Sequence, residues 1–176
     1  MKILITGSLG QLGNELQRCL SEMKAEIGAI PSEYKDGEVD AVDADALDIT
    51  DEKAVNEWFD QHGPYNIVIN CAAMTNVDAC ETAEDKAMCV NGQGPANLAA
   101  ACEKQGSKLI QVSTDYVFPG NEEGERVESD PVGPLSAYGR SKLEGEKQVA
   151  TLCNKHFIVR TAWLYGYVGH NFVKTM

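Results

Sequence analysis

The sequence predicts an α/β fold, a doubly wound parallel β-sheet with helices on both faces. Short apolar runs alternate with longer amphipathic stretches along the chain, which is the pattern of repeated βαβ units. A glycine-rich turn joins the first apolar run to the first amphipathic stretch, as expected where a strand leads into a helix. A length of 176 residues fits one domain with its own buried core, so we expect a single domain over 1–176.

Four apolar runs have the length of buried strands, and three amphipathic stretches have the period of helices. The predicted strands are 2–5, 66–70, 108–113 and 156–160, and the predicted helices are 11–23, 83–104 and 136–152. We expect the helix over 83–104 to bend or break near 92–95, which contains two glycines and a proline. Residues 119–135, rich in glycine, glutamate and proline, form a predicted loop.

The second strand of the sheet is ambiguous in the sequence. Either 26–30 or 38–43 fits a strand, with 31–37 as a turn between them. Farther along, Thr50 is a candidate N-cap for the next helix, because acidic residues follow it in what would be the first turn.

The chain is acidic, with 15 Lys and Arg residues against 27 Asp and Glu residues and a net charge of −12. Such a surface repels nucleic-acid phosphates and anionic lipids, so neither nucleic acid nor a membrane is an expected partner. An anionic cofactor would have to be held by backbone donors and a helix dipole rather than by the overall field.

Six cysteines and three histidines show none of the spacings of a zinc site, so we predict no metal site from them. We expect the thiols to be reduced, and the first residues resemble neither a signal peptide nor a membrane span. Together these features predict a cytoplasmic protein.

The motif Thr6-Gly7-Ser8-Leu9-Gly10-Gln11-Leu12-Gly13 follows a predicted strand and opens a helix. Gly7 permits a tight turn, Gly10 lets backbone N–H groups approach a pyrophosphate, and Gly13 lets the helix pack against the strand. The N-terminus of the helix adds attraction for phosphate. In this context the glycines predict dinucleotide binding by a Rossmann-type fold, although by themselves they would also fit an ordinary turn.

An acid that binds the adenosine ribose is expected after the second strand, about 20 residues past the glycines. Glu33 has that spacing, and Asp43 would end the second strand if that strand is 38–43. Asp43 is preferred on this ground, although a solvated acidic loop would explain either residue. Asp48 and Ile49 are a carboxylate and an apolar side chain that together could bracket an adenine.

Small side chains follow the strand over 66–70, in the order Cys71-Ala72-Ala73-Met74-Thr75. Small residues at a strand end let the backbone approach a ligand at the edge of the sheet. A tightly packed strand end without a ligand is the alternative explanation.

Tyr138 and Lys142 are four residues apart, which places them on one face of a predicted helix. A free phenol has a pKa of about 10, and a neighbouring ammonium would lower that pKa toward the range of a useful proton donor. Thr114 ends a strand, where its hydroxyl could bond a substrate carbonyl or only cap a turn. Together with the glycine motif, these residues predict a functional site in which Tyr138 could donate a proton to a carbonyl.

Stretches along the whole chain resemble the extended short-chain dehydrogenase/reductase family, and within it the reductases of dTDP-4-dehydro-L-rhamnose. The stretches are ITGSLGQLGNELQ, LDITD, VINCAAMTNVDACE, VNGQGPANLA, VSTDYVFPG, YGRSKLEGE, RTAWLYG and GHNFVKTM. The resemblance implies NADPH or NADH as the cofactor and a dTDP-sugar as the substrate, whose C4 ketone is reduced.

The resemblance also implies roles for individual residues. Thr114, Tyr138 and Lys142 would form a catalytic triad, and Thr114, Asp115 and Trp163 would contact the sugar nucleotide. The residues implied to line the cofactor, besides Tyr138 and Lys142, are Gly10, Gln11, Leu12, Asp48, Ile49, Ala73, Met74, Thr75 and Val112. For Trp163, a core aromatic beside the last strand is the alternative explanation.

The chain departs from the family in two ways. Family members are considerably longer, so we expect these 176 residues to lack most of the substrate-binding part. The region of the second strand is longer than in many members, which leaves open which acid binds the ribose.

Some members of the family are dimers linked by magnesium, and Glu15 matches one of the glutamates involved. The resemblance thus allows a homodimer, but an exposed helical glutamate explains Glu15 equally well, and the sequence does not support magnesium.

Two other functions share this fold. Sugar-nucleotide dehydratases and epimerases are related, but dehydratases usually place Asp-Glu after the threonine, and here Asp115 is followed by Tyr116. A non-catalytic regulator resembling the β subunit of methionine adenosyltransferase would bind the cofactor without turnover. The complete set of threonine, tyrosine and lysine favours an enzyme.

Overall fold

The computed structural model describes residues 1–121 and 124–176. Glu122 and Glu123, which belong to the loop predicted over 119–135, lie outside the described residues. The strands are β1 Lys2–Thr6, β2 Lys24–Ala25, β3 Gly28–Ala29, β4 Glu38–Val42, β5 Ile67–Asn70, β6 Lys108–Thr114 and β7 His156–Thr161. The helices are α1 Gln11–Glu22, α2 Glu52–His62, α3 Val77–Thr82, α4 Glu84–Met88, α5 Gly94–Gln105, α6 Ala137–Leu152 and α7 Phe172–Thr175.

Five strands form one parallel sheet in the order β4-β1-β5-β6-β7, which confirms the predicted parallel architecture. The central strands are buried, since Ile3, Leu4, Ile5, Val68 and Leu109 are at most 2% exposed. Because β4 lies on one side of β1 and β5 on the other, the order in which strands are added reverses between β1 and β5. Ligands bind such sheets outside the carboxyl ends of the strands at this switch point, so the fold itself indicates the position of a site.

Helices cover both faces of the sheet. α2, α5 and α6 pack on one face, where Phe59, Leu98 and Val149 share a buried cluster with Leu4 and Val68. α1 lies in the connection from β1 to β4, which crosses the sheet in the direction opposite to the connections from β4 to β5, β5 to β6 and β6 to β7. Because such crossovers are right-handed, α1 lies on the other face of the sheet. Within the described ranges, no helix is both long enough and apolar enough to cross a membrane.

The second strand of the sheet is Glu38–Val42, so the alternative strand over 26–30 is wrong. Lys24–Ala25 pairs instead with Gly28–Ala29 in an antiparallel hairpin outside the main sheet. The physical reason is burial, because the Ile27 side chain is fully exposed, whereas Val42 is buried in the core.

The N-cap of α2 is Asp51 rather than Thr50. The Oδ1 atom of Asp51 accepts hydrogen bonds from the N–H groups of Lys53 and Ala54, at 2.9 and 3.1 Å. The Thr50 hydroxyl donates to Asp48 Oδ1 at 2.7 Å and is therefore engaged outside the helix.

The bend predicted near 92–95 is a π-helical turn, Cys89–Gln93, between α4 and α5. Pro95 lies in the first turn of α5 and has no N–H to donate, and the chain widens there without breaking. The turn buries Asn91, a residue that contacts the loop after β5.

Candidate active site

The glycine turn lies between the end of β1 and the start of α1. Gly7 has a φ of 68°, and a side chain there would place its Cβ 2.6 Å from the Ala72 N atom. A Cβ on Gly13 would collide with the Gly7 carbonyl oxygen. Gly10 has more room, because its Cβ would meet only that same oxygen, at 3.2 Å. The fold therefore requires glycine at positions 7 and 13, whereas Gly10 leaves the turn open to a ligand.

The N-terminus of α1 is suited to an anion. Its N-cap, Gly10, makes no side-chain capping hydrogen bond, and no acidic residue stands in the first turn. In contrast, α2, α3 and α6 are capped by the side chains of Asp51, Asn76 and Ser136. The first N–H groups of a helix need acceptors, and the helix dipole favours negative ones. This end of α1 therefore fits a pyrophosphate despite the net charge of −12.

A cavity of about 410 Å³, here called the first cavity, opens on one side of the glycine turn. Asp43 lies in its wall directly after β4, where its Oδ2 accepts a hydrogen bond from the Leu9 N–H at 3.1 Å. Its Oδ1 accepts another from the Ala44 N–H at 2.9 Å. Asp48 and Ile49 line the same cavity. The residues predicted for the adenosine end are thus brought together.

Glu33, the alternative ribose-binding acid, lies in the 3₁₀ turn Ser32–Tyr34 and does not line the first cavity. The spacing of about 20 residues from the glycines pointed to Glu33, but the β2–β3 hairpin and this turn are inserted before β4, the second strand of the main sheet. The acid after that strand therefore lies farther along the chain. Of the two acids, Asp43 is the one that contacts the glycine turn.

A cavity of about 500 Å³, here called the second cavity, lies on the other side of the turn. It shares Gly7, Gly10, Cys71 and Ala73 with the first, so the two form one cleft at the carboxyl ends of the strands. The other predicted site residues that line it are Gln11, Leu12, Gly13, Thr75, Val112, Thr114, Asp115, Tyr138, Lys142 and Trp163. A dinucleotide in this cleft would have one half on each side of the glycine turn.

Thr114 and Tyr138 meet in the second cavity. Thr114 ends β6, and its Oγ1 donates to Asp115 Oδ1 at 3.0 Å and accepts from the Tyr116 N–H at 3.2 Å. Burial raises the pKa of Tyr138, and a hydrogen bond with Thr114 acts in the opposite direction. The phenol therefore carries its proton at neutral pH, which is the form that a proton donor needs.

Lys142 is buried on α6, and its Nζ donates a hydrogen bond to the Val112 carbonyl oxygen at 2.7 Å. Burial lowers the pKa of Lys142 to about 8, against the opposing effects of Glu146 and Cys71. The pKa of Tyr138 is raised, chiefly by burial, and Lys142 is not among the groups that shift it, so the expected lowering by Lys142 does not occur in this structure. The ammonium is bonded to the end of β6 instead.

Replacing Lys142 by Met should stabilise the fold. Because folding lowers the lysine pKa from 10.5 to about 8, the folded chain binds fewer protons than the unfolded chain between those pH values. The buried charge of Lys142 therefore lowers the free energy of unfolding by its full amount below about pH 8. This destabilisation disappears as the pH rises toward 10.5. Lys142→Met should raise the free energy of unfolding at neutral pH by roughly 1–3 kcal/mol and remove this pH dependence.

Denaturant unfolding across this pH range checks the effect of Lys142→Met. The matched control is Lys147→Met, which removes an exposed lysine from the same helix. A Lys142→Met variant that is less stable than the control at neutral pH would contradict the burial cost. The same variant should bind cofactor more weakly, because Lys142 lines the second cavity.

Sequence reasoning missed Glu146, which is buried one helical turn after Lys142. Its Oε1 accepts a hydrogen bond from the Ser113 hydroxyl at 2.5 Å, and its two oxygens accept bonds from Arg160 at 2.9 and 2.7 Å. This network joins α6 to β6 and β7 and holds Ser113 beside Thr114. The sequence feature that could have identified Glu146 is its spacing of four residues from Lys142, which places both side chains on one face of the helix.

Sequence reasoning also missed Asn91. Its side chain bonds the N–H and the carbonyl oxygen of Met74, at 2.8 and 2.9 Å, and donates to Ser141 Oγ at 3.0 Å. Met74 itself was expected to line the cofactor, but it lines neither cavity and packs instead against the buried cluster of Cys80, Ala87 and Ala137. No local pattern indicates this arrangement, since it depends on the π-helical turn.

Trp163 lies at the rim of the second cavity and is 67% exposed, so it does not belong to the core that these 176 residues form. Its φ of 52° is in the left-handed region, which large side chains rarely adopt. Its ring contacts Phe172 edge-on, with centroids 5.2 Å apart. Such backbone strain is often found at functional sites.

Among the residues that the structure describes, no group of three or more His, Cys, Asp or Glu side chains could hold a metal ion. Glu15 is half-buried on α1 and is paired with Arg18, which holds the pKa of that carboxyl below its usual value.

The whole chain is similar to known proteins. Residues 1–176 match the family described as the RmlD substrate binding domain. A dTDP-4-dehydrorhamnose reductase from Streptomyces griseus is 44% identical over 174 residues, which are 98% of this chain and 53% of that protein. The crystal structure of such a reductase from Clostridium acetobutylicum is 50% identical, with a TM-score of 0.88, over 99% of this chain and 57% of that one. The Bacillus anthracis enzyme in complex with NADP is 40% identical, with a TM-score of 0.89 and the same coverage. The chain thus spans about half the length of these relatives.

Proposed function

Because this chain belongs to the family of the RmlD substrate binding domain, we propose that the protein carrying it reduces the C4 ketone of dTDP-4-dehydro-L-rhamnose to give dTDP-L-rhamnose. The observation that carries the proposal is the meeting of Thr114, Tyr138 and Lys142 in a cavity that continues to the glycine turn. The names of the relatives from S. griseus and C. acetobutylicum support the substrate. The NADP in the B. anthracis structure supports a nicotinamide cofactor.

In this proposal residues 1–176 form the cofactor side of the site. NADPH or NADH, when bound, supplies the hydride for C4. Gly10 and the N-terminus of α1 hold the pyrophosphate, and Asp43 and Asp48 lie at the adenosine end. Lys142 lies on the nicotinamide side, in the second cavity.

Tyr138 donates its proton to the oxygen at C4 as the ketone becomes an alkoxide. The phenol carries this proton at neutral pH, because burial raises its pKa above the usual value of about 10. The Thr114 hydroxyl, which donates its hydrogen bond to Asp115 in this structure, donates instead to the oxygen at C4 and stabilises the negative charge that develops there. Asp115 and Trp163 line the cavity where the sugar nucleotide binds.

Elimination of water fits this site less well than reduction. The residue after Asp115 is Tyr116, whose ring contacts Tyr138 edge-on with centroids 5.5 Å apart. Thr114 is thus followed by one carboxylate rather than by an acid and base pair.

The free thiols of all six cysteines support a reducing compartment, and we place the reaction in the cytoplasm.

The test is turnover of dTDP-4-dehydro-L-rhamnose by the protein that carries this chain. Loss of the absorbance of NADPH or NADH should accompany formation of an equal amount of dTDP-L-rhamnose, identified by chromatography. Cofactor binding without turnover would contradict the proposal and favour the non-catalytic regulator.

We expect Asp48→Ala to weaken cofactor binding by about 1–2 kcal/mol, the scale of a lost hydrogen bond to a charged group. Asp48 lines the first cavity, and its Oδ1 also accepts bonds from the N–H and hydroxyl of Thr50. Glu33→Ala is the matched control, since it removes an exposed acid that does not line the cavity. Calorimetric titration measures the cofactor affinity of both variants. A larger loss of affinity from Glu33→Ala than from Asp48→Ala would overturn the placement of Asp48 at the adenosine end.

A further inference from the structure

We propose that Glu146, which lines neither cavity, is a positioning residue of the cofactor site and acts on the cofactor through Lys142. Its buried carboxylate keeps Lys142 in the ammonium form, in which the lysine bonds the nicotinamide half of the cofactor. The inference rests on the proposed function, because it concerns how the same site holds its cofactor. Among the described residues that line the second cavity, Lys142 is the only lysine or arginine.

The Glu146 carboxylate is fixed where α6 meets two strands of the sheet. The residue is 4% exposed, and its oxygens accept hydrogen bonds from the Ser113 hydroxyl and from the Arg160 guanidinium. Ser113 and Arg160 are themselves partners in the pairing of β6 with β7. A guanidinium bonded to both oxygens of one carboxyl group is the arrangement of an ion pair, so Glu146 carries a negative charge. That charge is held one helical turn from Lys142.

Lys142 is charged at neutral pH by only a small margin. Burial lowers its pKa to about 8, although the charge of Glu146 acts in the opposite direction. Residues four apart on a helix have Cβ atoms about 5–6 Å from each other, and charges attract more strongly in a protein interior than in water. If the Glu146 charge is removed, we therefore expect the pKa of Lys142 to fall further and the neutral amine to form near neutral pH.

The other groups around Lys142 do not replace the charge of Glu146. Cys71 also acts to raise the pKa of Lys142, but burial raises the pKa of the Cys71 thiol to about 12, so this thiol is neutral at neutral pH. The other titratable side chains that line the second cavity, within the part of the chain that the structure describes, are not among the groups that shift the pKa of Lys142. They are Asp115, Tyr116, Tyr138 and His170.

The ammonium form of Lys142 suits a cofactor better than the neutral amine does. Its Nζ donates one hydrogen bond to the Val112 carbonyl oxygen at 2.7 Å. An ammonium has three N–H donors, so two remain for the cofactor, and hydrogen bonds from a charged donor are about twice as strong as neutral ones. The neutral amine would have one donor fewer and no charge. Cofactor affinity should therefore be highest below the pKa of Lys142 and should fall as the pH rises through it.

The test is calorimetric titration between about pH 6 and pH 9, with whichever of NADPH and NADH the wild type binds more tightly. Wild-type affinity should fall above about pH 8, where Lys142 loses its proton. In Glu146→Gln this fall should begin about one pH unit lower, with affinity about three- to tenfold weaker than wild type at neutral pH and restored at about pH 6. Glu144→Gln is the matched control on the same helix, since Glu144 lines neither cavity, and it should behave as wild type.

A double variant keeps the inference testable if Glu146→Gln does not fold. Glu146→Gln with Arg160→Gln removes both members of the ion pair, so no unpaired charge is left buried. Arg160 is not among the groups that shift the pKa of Lys142, so the double variant should show the same displaced fall in affinity. Unchanged affinity, or a loss by the same factor at every pH, would overturn the inference and leave the proposed function standing. Failure of the wild type to bind either cofactor would overturn the proposed function itself.

Discussion

Turnover of dTDP-4-dehydro-L-rhamnose should fall about 10²–10⁴-fold when Tyr138 is replaced by Phe, the range typical of lost general acid–base catalysis. Phe keeps the ring, which packs edge-on against Tyr116 and against a small buried cluster that includes Ala137. Only the hydroxyl is lost, together with its hydrogen bond to Thr114. Folding and cofactor binding should therefore survive, with a loss of stability of about 0.5–1.5 kcal/mol.

Tyr116→Phe is the matched control, because it removes a hydroxyl from the same cavity without removing the proposed proton donor. Tyr116 is 47% exposed, so the change should disturb neither packing nor turnover appreciably. Steady-state rates and calorimetric cofactor titrations of both variants separate proton transfer from binding. If Tyr138→Phe kept near-normal turnover, the phenol would not be the proton donor and the proposed mechanism would be wrong.

Gly10→Val should weaken cofactor binding about 100-fold or more while leaving the fold intact. The backbone at Gly10 has φ −72° and ψ 170°, which any residue adopts, and its Cβ would meet only the Gly7 carbonyl oxygen. Since Gly10 lines both cavities, a branched side chain there would fill the passage between them. The cofactor pyrophosphate would lose its approach to the turn.

Two other glycine variants bracket this result. Gly10→Ala adds a single methyl group and should retain part of the binding. Gly13→Ala should destabilise the fold itself, because its Cβ would collide with the Gly7 carbonyl oxygen and lie 2.8 Å from the Ser8 Cα. Thermal unfolding and calorimetric titration measure the two effects separately. Wild-type affinity in Gly10→Val would refute the placement of the pyrophosphate at this turn.

Prediction from the sequence succeeded where a strand is a continuous apolar run. The ends of β1, β5, β6 and β7 agree with the predicted strands within one residue. β1, β5 and β6 lie in the interior of the parallel sheet, where such runs are expected. β7 is an edge strand and is half-buried or exposed, but its sequence contains an uninterrupted apolar run as well.

Prediction was ambiguous where the signal is weak or shared. β4 is an edge strand and is mostly exposed or half-buried, so its pattern did not exclude the competing segment over 26–30. Thr50 and Asp51 are both good N-cap residues, and only the geometry shows which one caps α2. The short helix α3 was not predicted, since six residues carry too little periodicity.

The sequence by itself determined the parallel α/β fold, the glycine turn and the Tyr138–Lys142 pair, because each is encoded by spacing within one or two adjacent elements. Only the tertiary structure decided that Asp43 rather than Glu33 contacts the glycine turn, through a bond that spans 34 residues. It also decided that the pKa of Tyr138 is raised and not lowered, because burial is a property of the packed site. Hydrogen bonds between distant segments and the removal of side chains from water arise only when the chain is folded, so no local pattern encodes them.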